Sequence, residues 1–92
     1  MTNPTSYDEA PDLVSIRRAD IDRIDHELVG LVRRRIEVSA EIQRIRVAAG
    51  QPRIAHGREI AVLSSYGAAL GPLGSRLGQV VLDLCRGTAL LR

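Results

Sequence analysis

Between Asp12 and Ala49 the chain places apolar side chains at Ile21, Ile24, Leu28, Leu31, Val38, Ile42 and Ile45. Apart from one gap the steps alternate between three and four, which is the a/d stripe of a helical heptad. The stretch contains no proline and a single glycine, Gly30. Asp12 or Ser15 suits the N-cap, and Gly50 suits the C-terminal stop. A helix of about 35 residues would be about 50 Å long at about 1.5 Å per residue. A 92-residue chain cannot cover such a rod, so much of the stripe is expected to meet another chain. Ile16, Val32 and Ile36 widen the apolar face enough to accept further helices.

Gly50, Gln51 and Pro52 break the pattern. A second helix is expected from about His56 to Tyr66, with Ile60 and Leu63 facing inward, and a loop from Gly67 to Gly71. Pro72 suits the first turn of a third helix. That helix is expected to reach about Arg86, with Leu73, Leu77, Val80, Val81 and Leu84 as its apolar face. Gly87 would end it, leaving Thr88 to Arg92 as a tail. The fold class is all-α: one long, one short and one medium helix per chain, assembled as an intertwined helical homodimer. Residues 1–11, with Pro4, Pro11 and acidic groups, read as a flexible N-terminal arm, and 12–92 as the helical domain.

Composition removes several function classes. Cys85 is the only cysteine and His26 and His56 are the only histidines, so neither a disulfide within the chain nor a cysteine-based zinc site can form. With no such staple, oligomerisation is the expected source of missing core. The N-terminus lacks a basic start followed by an apolar run, so no signal peptide is expected. No stretch approaches the roughly 20 apolar residues of a membrane span. A cytoplasmic protein without membrane partners is the expectation, and one unpaired thiol fits a reducing compartment. All 13 basic residues are Arg, yet the net charge is only +2, and there are two Tyr with no Phe or Trp. Nucleic acid binding through stacking platforms is therefore not expected.

Arg35 is the residue that disturbs the heptad. It occupies a seam position where the stripe calls for an apolar side chain. A guanidinium in a seam is costly unless paired. It could snorkel to water or pair with Glu41, or it could build an anion site inside the bundle. Arg46 follows eleven residues later, about 16 Å along the axis, so two long side chains could touch one small ligand between them. Arg18 lies about 25 Å from Arg35 on the same rod. An antiparallel partner helix could instead bring its own Arg18 to this chain's Arg35. Arg58 and Glu59 open the second helix, where an acid is favoured by the helix dipole or, alternatively, serves as an acceptor at the mouth of a cationic pocket. Cys85 reads as core, Arg33 and Arg34 as surface, and His26 and His56 as solvated or capping. Asp20, Asp22, Asp25 and Glu27 form an acidic patch able to pair with Arg17 and Arg23.

These pieces occur in the order I-D-x-I-D-x-E-L from Ile21, R-R-x-x-V-S-x-E-I from Arg34, R-I-R from Arg44, and the pair Arg58-Glu59. In that order and separation the stretch 13–66 resembles the all-helical AroQ class of chorismate mutases; the third helix resembles it weakly. The resemblance implies a dimer of three-helix chains with shared active sites. It implies an isomerase that converts chorismate to prephenate in the shikimate route to aromatic amino acids, with no cofactor and no metal. It places Arg35, and Arg18 from the other subunit, on the two substrate carboxylates. Arg46 falls on the donor to the ether oxygen, and Arg58 and Glu59 on the pair whose acid binds the substrate hydroxyl. The backbone of Ala55 falls beside that hydroxyl. Arg46, Arg35 and Glu59 are the expected catalytic residues. A pericyclic rearrangement needs no nucleophile or general base; it needs a compact dianion and charge placed against the breaking C–O bond.

The chain departs from the family pattern at Ala89, where a Gln donor is common, at Cys85, where a Ser is found, and at Ala55, in place of an Asp. Its end, "LCRGTALLR", resembles the short actinobacterial subclass, which implies a possible activating complex with DAHP synthase. Isochorismate-pyruvate lyase or aminodeoxychorismate mutase activity on the same scaffold, a non-catalytic adaptor of DAHP synthase, and a basic coiled coil binding nucleic acid are the alternatives.

Overall fold

The structure, a computed structural model, describes the backbone of residues 5–52 and 55–90 and the side chains of 12–52 and 55–86. Three helices follow one another: α1 (Thr5–Ala48), α2 (His56–Leu70) and α3 (Pro72–Leu90). No strand occurs among the described residues. The long, short and medium order matches the expectation from periodicity. The boundaries differ in three places. Helix α1 starts at Thr5, so Asp12 and Ser15 are not its N-cap. Helix α2 continues through Gly67 to Leu70, and the expected loop shrinks to Gly71. Helix α3 passes Gly87 and ends at Leu90, so Ala89 falls in a helix rather than a tail, its side chain lying outside the described residues. The first four residues of the expected arm also lie outside them.

Two compact units make up the chain, residues 1–31 and 32–92. In the first, α1 is held locally by ion pairs one turn apart: Asp20 accepts from Arg17 at 3.0 Å and from Arg23 at 3.2 Å. These pairs are solvent-exposed and contribute a few tenths of a kcal/mol each. Ile21, Ile24 and Leu28 of the same segment are all about half exposed.

The second unit contains the rest of α1 and a tight α2–α3 hairpin. Helix α1 closes with paired bonds, Gln51 N–H to the Arg46 carbonyl at 2.7 Å and Gly50 N–H to the Val47 carbonyl at 3.0 Å. This is the Schellman arrangement, and it requires the left-handed φ of +75° that Gly50 supplies. Gly71, with φ +84°, reverses the chain between α2 and α3, its N–H bonding the Gly67 carbonyl at 2.8 Å. Pro72 then opens α3.

The hairpin packs backbone against backbone. A Cβ on Gly74 would collide with the carbonyl oxygen of Tyr66 and the Cβ of Leu70. One on Gly78 would crowd the Tyr66 ring at 3.1 Å. Ser75 Oγ donates to the Leu63 carbonyl at 3.4 Å across the same contact. The inner face of α3 is therefore Gly74, Gly78, Val81, Leu82 and Cys85. Of the expected face only Val81 is buried; Leu73 is 71% exposed, and Leu77, Val80 and Leu84 are exposed too. In α2, Val62 is the buried residue, Leu63 is partly covered and Ile60 faces water. Small residues took the contact because they let two helices approach more closely than large ones allow.

Val62, Val81, Leu82 and Cys85 are the only buried hydrophobic side chains among the described residues. The α1 stripe, including Leu31 and Ile45, is exposed. No described helix is long and apolar enough to cross a membrane.

Candidate active site

The second unit holds a cavity of about 270 Å³ between α1, α2 and α3. That is near the lower end of ligand pockets, about 300 Å³, and suits a small molecule. Helical spacing explains its walls. On α1, Arg35, Ser39, Gln43 and Arg46 recur at steps of four, four and three, so one face carries all of them. Ala55, the N-cap of α2, shares a helix face with Arg58, Glu59 and Val62 at spacings of three and four, and Leu82, Cys85 and Arg86 close the wall from α3.

Five of the six residues singled out in the sequence line this one cavity: Arg35, Arg46, Ala55, Arg58 and Glu59. Arg18 does not; in the first unit it lines a separate shallow hollow with Leu13, Val14, Arg17 and Ile21.

Each charged group is held differently. Arg35 is half-buried and donates from Nη1 to the Cys85 sulfur at 2.8 Å, a weak acceptor that leaves the cation uncompensated. The pairing with Glu41 considered for it is not seen. Arg46 donates through Nε to the Pro52 carbonyl at 2.9 Å, which fixes its stem and ties it to the turn after α1. Ala55 is the N-cap of α2 in extended conformation, with no side-chain bond to the helix. The first amides of α2 therefore receive no side-chain acceptor from their N-cap at the edge of the cavity, where the dipole favours negative charge. Arg58 has no acidic partner among the described residues.

Glu59 is the single carboxylate in the wall. It accepts from Arg86 Nη1 at 2.5 Å, and Arg86 Nη2 reaches Asp83 at 3.0 Å. The hydrogen bond to Glu59 is the main reason the Arg86 pKa is raised; burial opposes it, and the bond to Asp83 adds to it. The wall therefore carries four guanidinium groups against one carboxylate. A small anion is the complementary ligand.

Sequence reasoning missed Arg86, Ser39 and Gln43, and placed Cys85 in the core without its contact to Arg35. The spacing 82, 85, 86 is present in the sequence, but hydrophobic periodicity points the large apolar residues of α3 inward and leaves Arg86 off that face.

A three-helix chain with a small, strongly cationic cavity between its helices defines a helical protein built to hold a compact anion. Residues 17–77 match the chorismate mutase type II family. The chain belongs to that family.

The intracellular chorismate mutase of Mycolicibacterium smegmatis is 39% identical over 84 residues, covering 91% of this chain and 80% of that protein. The intracellular chorismate mutase of Mycobacterium tuberculosis is 46% identical over 70 residues, 76% of this chain and 66% of that protein. Among solved structures, a chain of the non-covalent complex of DAHP synthase and chorismate mutase from Corynebacterium glutamicum, with bound transition-state analogue, superposes with a TM-score of 0.80. It is 29% identical, covering 85% of this chain and 94% of that one.

Proposed function

We propose that this chain catalyses the Claisen rearrangement of chorismate to prephenate, with the catalytic unit formed by residues 12–92. The observation that carries the reading is the convergence of Arg35, Arg46, Arg58 and Glu59 on one cavity of net positive charge. Arg35 binds one carboxylate of the substrate. Arg46, its stem fixed by Pro52, turns its terminal nitrogens to the ether oxygen as the C–O bond breaks. Glu59 accepts the substrate hydroxyl, and the backbone of Ala55 lies beside it. The dianion is held in its compact shape, and charge is in place before it develops. Orientation and preorganised electrostatics supply the acceleration.

The working form is a homodimer with shared sites, Arg18 of the partner subunit completing the second carboxylate contact. Support comes from the apolar stripe of α1 left in water in a single chain, including Ile24, Leu28, Leu31 and Ile45. Exposure of that extent marks an interface rather than a free surface. The enzyme works inside the cell, as the names of its relatives suggest. The Corynebacterium glutamicum complex supports a DAHP synthase partner; activation by that partner is the further part of the proposal.

The test is loss of chorismate absorbance with purified protein, alone and with the DAHP synthase of the same organism. Prephenate formation that rises on mixing is expected. No conversion under either condition would remove the assignment.

A further inference from the structure

Glu59 poses a problem for an anion site. It is the one carboxylate in the cavity wall, and a bare carboxylate there would repel the ligand that Arg35, Arg46 and Arg58 attract. The structure compensates it. Arg86 of α3 reaches across to α2, its Nη1 at 2.5 Å from Glu59 Oε2. Arg86 is itself braced: its Nη2 donates to Asp83 Oδ1 at 3.0 Å, and Gln79 Nε2 donates to the same oxygen at 3.0 Å. A line of polar contacts thus runs along α3 from Gln79 through Asp83 and Arg86 and ends on Glu59. Both terminal nitrogens of Arg86 are committed to protein carboxylates, whereas Arg58 has no acidic partner among the described residues. The Arg86 side chain is only 24% exposed, so the pair is screened less than a surface ion pair.

We propose that Arg86 is a positioning residue for the reaction: it grips Glu59 by one oxygen, cancels its charge, and so lets the other oxygen accept the substrate hydroxyl next to a dianion. The inference rests on the reading of the cavity as the chorismate site. It assigns Arg86 no contact with substrate. Its effect passes through Glu59, and it therefore vanishes when Glu59 carries no charge to compensate.

The experiment is a double-mutant cycle with R86A, E59Q and R86A/E59Q, reading kcat and KM separately. R86A should raise KM about tenfold and leave kcat within about threefold, because the dianion is repelled equally in ground and transition states. In the E59Q background the same change should alter kcat/KM by less than about twofold. R86K should recover part of the loss, since it restores the charge without the bidentate fork. A loss of equal size in both backgrounds would place Arg86 on the substrate and overturn the inference. So would a fall in kcat at unchanged KM, the mark of an interaction made only in the transition state. Should R86A not fold, the cycle with R86K in its place decides by the same criterion. A wild-type protein that leaves chorismate unchanged would instead overturn the reading of the site. An active wild type with additive variants overturns the role of Arg86 alone.

Discussion

Replacing Arg46 with alanine separates the contribution of its bond to Pro52 from the catalytic role proposed for the same side chain. Its Nε holds the Pro52 carbonyl at 2.9 Å, and its stem is half exposed. Losing that bond costs stability of about 0.5–1.5 kcal/mol, the usual net worth of a hydrogen bond. For a domain of this size that is a fall in Tm of a few degrees, roughly 4–8 °C per kcal/mol. Against a total stability of about 5–15 kcal/mol it leaves the protein folded at 25 °C. The second contribution is the proposed one, charge against the ether oxygen. Removing such a donor typically costs about 3 kcal/mol of transition-state stabilisation. At about 1.36 kcal/mol per decade, kcat should fall on the order of a hundredfold. The two magnitudes are far enough apart to be read in one preparation. Circular dichroism melts give the first, initial rates of chorismate consumption the second, and size exclusion the assembly. A folded Arg46→Ala protein within about threefold of wild-type kcat would refute the assignment of Arg46 to the reacting bond.

Other changes test the scaffold and the shared site. Gly74→Ala gains about 1 kcal/mol of helix propensity but drives a methyl into the Tyr66 carbonyl, a backbone atom that cannot swing away, so a net loss and a lower melting temperature are expected; a higher one would contradict the packing. Ala55→Ser supplies the missing N-cap acceptor of α2 and should add about 0.5–2 kcal/mol, seen as a higher urea midpoint. Arg18→Ala and Arg35→Ala should each be nearly inactive, yet mixing and refolding them should restore roughly a quarter of wild-type activity, since half the dimers then carry one intact site; no recovery would place both residues in the same subunit's site. The raised Arg86 pKa means that its pairing with Glu59 stabilises the fold fully below the ordinary Arg range and is lost only above it. The stability difference between wild type and Arg86→Gln should therefore stay constant from about pH 7 to about pH 10, by denaturant titration at each pH.

Much of the site could be read from the chain because it violates a pattern. Arg35 stands out where the heptad demands an apolar residue, and Arg46 follows at a distance that only a helix makes meaningful. Arg58 and Glu59 were legible through their order and spacing in a known family. Arg86 was not, for a physical reason. Hydrophobic periodicity favours large side chains, and it turned α3 so that Leu73, Leu77, Val80 and Leu84 faced inward. The contact with α2 is made by Gly74 and Gly78 instead, and glycine carries no hydrophobic signal. Shifting the face by one position puts Leu82 and Cys85 inside and brings Arg86 to the cavity. The ends of α2 and α3 were misplaced for a related reason: Gly67 and Gly87 read as stops, yet both lie within helices. Among the described residues only Gly50 and Gly71 adopt the left-handed geometry that makes a glycine a terminator.

The four buried apolar side chains of the second unit have a consequence beyond the site. With so small a core among the described residues, the proposed dimer would draw its cohesion from the covered α1 stripe, and its folding equilibrium would contain a concentration. Dilution would then act on that dimer as urea does on a self-sufficient domain, and any second molecule settling on the stripe would raise the midpoint of unfolding by mass action.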